Sequence, residues 1–529
     1  MKTAPRFPPP SARAMRTRMP RVVLAVLLAF LMLPTACGMA GDEGEYAPVR
    51  IVWISGDGAG AVGMAGLDEY LTAAQHLGLT ARAADGRIVP GLASSWRVLD
   101  DGRTYVFKLR EARWPDDRRI TAGDVVAVMQ RQIAPGGTTP LIPYLFDVVE
   151  AKGVAANRKP PRMLGVDNPR EDVVTITLDR PQPALLAMLA HPSLAIVRRD
   201  NPPPPSGAYR SADEETALVP NPAYYERDLA TPAPIMLLET DVTTALARFR
   251  RGEADIVTGA ATDGLSASAG DEFLAARRIE ATLGLYGYLA RTGSGPLADT
   301  RIRRALAMTV PREDIAAAYN LVPAMQPAYG PLAPTLPEPY AGATPDWTLW
   351  TPAIRFAEAT RLLAEAGHAP DAPLTLDVAL PLGRDHEAIL TAIARVWAPL
   401  GVNVRAFKRP PDLHRRALES GDFDLALTER IVPAAIPEFF LSPFGCDARL
   451  GGYCNPAADR LLDEAANEED PGTRVGLIRR AARLIAEDAP ILPVFSPVRW
   501  SLVAPGVSGW EDNLAGAHPP RYLSGEGAS

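Results

Sequence analysis

The chain reads as an α/β protein built in at least two lobes, and three observations say so. Its 529 residues exceed the ~250–300 at which a single hydrophobic core stops growing. Short runs in the first half alternate apolar and polar residues at the period of a half-buried strand. Longer runs in the second half place apolar residues three and four apart, the period of a helix packed on one face. Strands and helices mixed in this way over two unequal stretches call for layered α/β lobes.

The first element in chain order is not part of the fold. Val22 to Leu33 is a run of twelve apolar residues behind Arg13, Arg16, Arg18 and Arg21, followed by Pro34-Thr35-Ala36-Cys37. A basic lead, a short apolar core and small residues make a secretory signal; a spanning helix needs roughly 20 apolar residues. Thr35-Ala36-Cys37 resembles the bacterial lipobox, with Pro34 where Leu is usual. The resemblance implies lipidation of Cys37 as the mature N-terminus, with plain cleavage nearby as the alternative. Either way the mature chain is expected to work outside the cytoplasm, with residues 1–36 as the signal and 37–46 as a flexible acidic linker. Met15 or Met19 would open the signal as well as Met1 does.

Arg50 to Ile54 is a strand-like run entering the body. Tyr105, Phe107 and Leu109 alternate with Val106, Lys108 and Arg110, and Val174, Ile176 and Leu178 repeat the pattern. Asp101-Gly102 is a hairpin turn. Later, Ile389, Ile393, Val396, Trp397 and Leu400 share one helix face, and Gly401 stands where a left-handed C-terminal residue is wanted. Asp299, Asn455-Pro456 and Asp470-Pro471 open three further helices as N-caps, two of them with proline at the first helical position.

Charge and cysteines narrow the function. The first 36 residues hold six basic residues and no acid, which leaves 49 basic against 62 acidic residues, a mature net charge of −13. That sign argues against nucleic acid and against charge-driven docking on anionic lipid, so a covalent anchor is the expected membrane tether. Beyond Cys37 there are Cys446 and Cys454, with seven residues between them including Gly451 and Gly452. That slack suits a loop-closing disulfide in an oxidising compartment. A metal site is the rival, but two thiols without a nearby histidine make a poor one. No metal or cofactor is expected.

From Val89 the chain resembles the family 5 extracellular solute-binding proteins, the lipoproteins that serve oligopeptide, dipeptide and nickel ABC importers. The run Val89-Pro90-Gly91-Leu92-Ala93-Ser94-Ser95-Trp96, then Asp101 to Arg110, Trp114 to Asp117 and Ile120 to Val125, follows the order of that family's N-terminal signature. The likeness resumes at Ser206-Gly207-Ala208-Tyr209, where Ser206 and Ala208 replace the usual Gly and Pro. It continues at Val219 to Tyr225, Phe249 to Ile256, Leu297 to Leu306, Leu362 to Gly367, Gly421-Asp422-Phe423-Asp424, Gly452 to Pro456 and Asp488 to Phe495. Each block alone is weak; their joint order across about 400 residues is specific.

The resemblance implies a two-lobed clamp of the type II periplasmic-binding-protein kind, with an extra subdomain inserted in lobe one. Lobe one is expected over 47–270, with the insert at about 76–195. Lobe two is expected over 271–495, and 496–529 returns to lobe one. It also implies a monomer that closes on a ligand, most simply a peptide, and passes it to an ABC permease. Relatives that bind peptides carry a Trp and an Asp shortly after the Gly-Asp-Phe-Asp strand; Leu427 to Phe440 here contains neither. The candidates for ligand contact are therefore Glu429, Arg430, Glu438 and Phe439 on that segment, Tyr286, Tyr288 and Arg291 on the strand before the Leu297 block, and Trp53 on the opening strand. Core packing is the rival reading for the tyrosines. A surface receptor that does not transport, or a degenerate relative with a non-peptide ligand, fits the same clamp. An extracellular hydrolase is disfavoured, since the six histidines are scattered and neither a His-Glu-x-x-His pair nor a Gly-x-Ser-x-Gly elbow occurs.

Overall fold

Two sheets carry the fold in the computed structural model, which describes residues 47–54, 66–212, 217–226, 232–321, 323–340, 343–432 and 434–525. The signal and Cys37 lie outside the described residues. The first sheet orders seven strands as Arg277–Ala281, Val498–Val503, Ile256–Ala260, Val49–Ile54, Ile235–Thr240, Ala217–Pro220 and Tyr209–Ser211. Val49–Ile54 runs parallel to both neighbours. It is central and covered on both faces, which is why it reads as a near-continuous apolar run, not an alternating one.

The second sheet orders five strands as Val402–Arg409, Leu374–Pro381, Leu425–Ile431, Gly284–Ala290 and Ile491–Phe495. The chain passes between the sheets twice, side by side. Thr282 and Leu283 link Arg277–Ala281 to Gly284–Ala290, and Ser496 and Pro497 link Ile491–Phe495 to Val498–Val503. The two crossings are tied together. Thr282 Oγ1 donates to the Pro497 carbonyl at 2.6 Å and Ser496 Oγ donates to the Gly284 carbonyl at 2.8 Å, with both hydroxyl side chains fully buried. The first crossing comes later than the boundary near 270 expected from sequence, because Arg277–Ala281 adds to the first sheet as an antiparallel edge strand on Val498–Val503.

A third, antiparallel sheet of Ala93–Leu99, Thr104–Leu109, Val173–Thr177 and Val166–Arg170 lies within the first half of the chain. Tyr105, Phe107, Leu109, Val174 and Ile176 are its buried face, and Asp100, Asp101 and Gly102 turn between its first two strands with positive φ. The helix Ala122–Ile133 opens on a capping box, in which the Thr121 backbone N–H donates to Asp124 at 2.7 Å. Gly91 of the Val89 motif is there for space: a Cβ would come within 2.5 Å of the Gly78 carbonyl.

The helix caps read from the sequence are in place. Asp299, Asn455 and Asp470 accept from backbone N–H groups of Arg301, of Ala457 and Ala458, and of Thr473. Arg384–Trp397 buries Ile389, Ile393 and Trp397, and Gly401 has φ 78°. Cys446 and Cys454 are disulfide-bonded, their α-carbons 4.5 Å apart. Among the described residues no helix is long and apolar enough to cross a membrane.

Candidate functional site

The strand Leu425–Ile431 sets the chemistry between the lobes because its alternation sends neighbouring charges to opposite faces. Glu429 lies across from Tyr286 and Arg430 from Leu285. Glu429 therefore joins the side packed by Leu427, Tyr286 and Tyr288, whereas Arg430 joins the side of Leu285 and Ala426.

On the first face, Glu429 is 1 % exposed and accepts from Thr262 Oγ1 at 2.6 Å. Thr262 follows the first-sheet strand Ile256–Ala260, so this hydrogen bond joins the two lobes. Burial pushes the Glu429 carboxyl up to about 7, against the opposing pull of the Thr262 hydrogen bonds. Nearby, Asp385 at the start of helix Arg384–Trp397 accepts from Ser266 Oγ and from Tyr319 Oη, the latter at 3.1 Å. Tyr286 Oη meets His386 Nδ1 at 3.1 Å.

On the second face, Arg430 Nη2 donates to Tyr144 Oη at 3.1 Å. Tyr144 belongs to the turn Ile142–Leu145 of the first half of the chain, and its ring lies 3.6 Å from that of Phe439, centroid to centroid. Arg430 is partly buried, and burial lowers its pKa; it sits deep between the lobes with some surface still accessible. Among the described residues its Nε has no partner and no carboxylate pairs with it. A guanidinium withdrawn from water without a counter-anion costs several kcal/mol, which makes this the electrostatically unfinished position of the seam. Flanking it, Asp147 pairs with Arg180 at 2.6 Å, and Arg474 pairs with Glu438 at 2.6 Å.

The sequence candidates thus separate. Arg430 and Phe439 meet at the seam with Tyr144. Glu429 faces the seam from the other side of its strand. Glu438 is committed to Arg474. Tyr286 and Tyr288 are core residues, a correction to their candidacy: they are 0 % and 1 % exposed, because both faces of their strand are covered. Arg291, just past the far end of that strand, pairs with Asp424 at 3.4 Å within lobe two. Trp53 packs on Tyr70 with centroids 5.2 Å apart, away from the second sheet. Sequence reasoning missed Tyr144, which sits in the aperiodic run Leu141-Ile142-Pro143-Tyr144, and Thr262, for which the sequence offers no signal. Among the described residues no cluster of three or more potential metal ligands occurs.

The family described as bacterial extracellular solute-binding proteins, family 5, matches residues 87–451. The periplasmic oligopeptide-binding protein OppA of Salmonella typhimurium is 29 % identical over 462 residues, which are 82 % of this chain and 83 % of that protein. The periplasmic murein peptide-binding protein MppA of Escherichia coli is 26 % identical over 461 residues, 82 % and 84 % of the two chains. In three dimensions, Haemophilus influenzae OppA in complex with the peptide RPPGFSPFR superposes with a TM-score of 0.79 at 22 % identity, covering 90 % of this chain and 99 % of that one. The fold is the two-lobed type II clamp.

Proposed function

The chain belongs to the bacterial extracellular solute-binding proteins of family 5, and on that premise we propose that it captures a peptide between its lobes and delivers it intact to an ABC importer. The observation that carries this reading is Arg430, a guanidinium deep in the seam with a tyrosine hydroxyl and, among the described residues, no carboxylate. Its planar fork matches a carboxylate with two parallel hydrogen bonds, and a peptide's C-terminus supplies one. Tyr144 and Phe439 flank it as an aromatic wall. The names of the relatives, oligopeptide-binding and murein peptide-binding proteins, point to the same ligand class.

The work done is conformational. A ligand that bridges the lobes shifts the clamp toward closure only by its preference for the closed form, and the paired crossings at Thr282 and Ser496 are the natural hinge. In this account residues 1–36 direct export and a lipid on Cys37 holds a monomer at the outer face of the cell membrane. Lobe one takes the first sheet together with an inserted subdomain at about 76–195 and the C-terminal return from 496, and lobe two takes the second sheet. No bond in the ligand is made or broken.

One observation favours a second reading, a non-peptide anion in the same cleft. Leu427 to Phe440 contains no Asp to meet an α-ammonium group.

A thermal-shift screen of di- to octapeptides against small organic anions, with mass spectrometry of the recovered ligand, tests both. The expected result is a rise in melting temperature with a subset of peptides, recovered at unchanged mass. Shifts confined to non-peptide anions would replace the peptide reading, and cleaved peptide would overturn the absence of catalysis.

A further inference from the structure

Trp53 stands in the wall of a cavity of about 200 Å³. The described wall comes from the ends of strands Val49–Ile54 and Ile256–Ala260, helix Leu67–Gln75, the stretch 76–82, the segments 187–195 and 207–209, Tyr224, Arg499 and residues 510–521; none of it comes from residues 284–495. The described wall of the cavity therefore belongs to lobe one. It lies at the carboxyl end of the parallel strands, where α/β sheets place ligands.

Arg499 distinguishes this cavity from a packing defect. Its Nη1 is buried without a partner, and no hydrogen bond or ion pair of its guanidinium occurs among the described residues. The neighbouring His518 is already engaged with Glu280 at 3.1 Å. Arg82 stands in the same wall, held below its usual range by burial and then by Arg499. From outside the wall, Glu280, opposite Arg499 on the neighbouring strand, and Glu429 offset part of its charge; the wall's own acid, Glu69, adds little, since burial pushes its carboxyl up to about 7. Among the described residues Tyr70 Oη and His76 Nδ1 also lack partners. The rest is apolar and aromatic, with Trp53 against Tyr70 and Trp510 stacked on His518 at 3.6 Å. An apolar cavity of roughly 150 Å³ holds benzene, so this one has room for a single ring carrying a carboxylate.

We infer that the lobe-one cavity is a second ligand site, which takes a small carboxylate with an aryl or branched-alkyl body and anchors its anion on Arg499. Such a ligand touches one lobe, so its binding needs no closure, and it does not depend on what the clamp itself carries.

Calorimetric titration of the mature protein with sodium phenylacetate, beside the neutral phenylacetamide, tests this. Saturable binding of phenylacetate is expected, with the amide weaker by about tenfold or more. R499Q should weaken phenylacetate by a similar factor. A187L, which fills the cavity and leaves the charges alone, should abolish binding, and it decides the matter if R499Q does not fold. R430Q should leave phenylacetate affinity unchanged. No saturable binding to the wild type, equal affinity for acid and amide, or unchanged affinity in A187L would each overturn the inference. A loss in R430Q equal to that in R499Q would also overturn it, by making the cavity part of the cleft.

Discussion

Arg312 and Arg430 both carry a guanidinium into the interior, and their partners set them apart. Arg312 is fully buried and spends its Nε and Nη1 on the carbonyls of Ala328, Pro493, Ala307 and Val310. Among the described residues Arg430 has the Tyr144 hydroxyl alone. R430Q is therefore expected to weaken a tripeptide by about 10–100-fold, the worth of a charge-assisted pair, and to erase the preference for the free acid over the C-terminal amide. Equal losses for acid and amide would refute the carboxylate contact. Glu429 makes a second residue-scale prediction. Its carboxyl moves from 4.5 to about 7 on folding, so the folded state binds the extra proton and stability falls as pH rises between those values. The penalty above pH 7 is roughly 3 kcal/mol, and E429Q, which still accepts from Thr262, should escape it. The melting temperature of E429Q should exceed that of the wild type at pH 8, with the gap closing below pH 5; a pH-independent gap would refute the assignment. Glu429 and Arg430 were candidates because they stand on the segment where peptide-binding relatives carry a Trp and an Asp, and both are missing here. The sequence did not separate Tyr286 and Tyr288 from ligand contacts, because alternation assigns residues to a face without saying what covers that face.

At the scale of elements, the paired crossings tie the two sheets together. Thr282 donates to Pro497 across them, so T282V keeps the shape and strands a buried carbonyl. A loss of about 1–2 kcal/mol is expected, read as a lower urea midpoint; an unchanged midpoint would show that the tie is dispensable. Elements with their own local physics were legible in the sequence. Strand Thr104–Leu109 was written in its alternation, and the helices after Asp299, Asn455 and Asp470 in caps that satisfy free N–H groups. Arg277–Ala281 was not legible as a first-sheet strand. Its pairing with Val498–Val503 spans more than two hundred residues, and no local pattern encodes a partner so distant. Tyr144 escaped for a related reason: its partners Arg430 and Phe439 lie in the other half of the chain.

At the scale of the whole molecule, the order of weak motifs over the chain conveyed the family and the clamp, whereas the cleft's contents depend on which side chains two lobes bring together. Those contents are a seam closed by Tyr144, Phe439 and Arg430 on one side and by Thr262 and Glu429 on the other. If that seam is where ligand is held, the free protein must open there and the bound protein must shut. Small-angle scattering of the mature protein, with and without a saturating peptide from the screen, tests this most directly. A smaller radius of gyration and maximum dimension are expected with peptide. Superimposable profiles, under conditions where calorimetry shows the peptide bound, would contradict it.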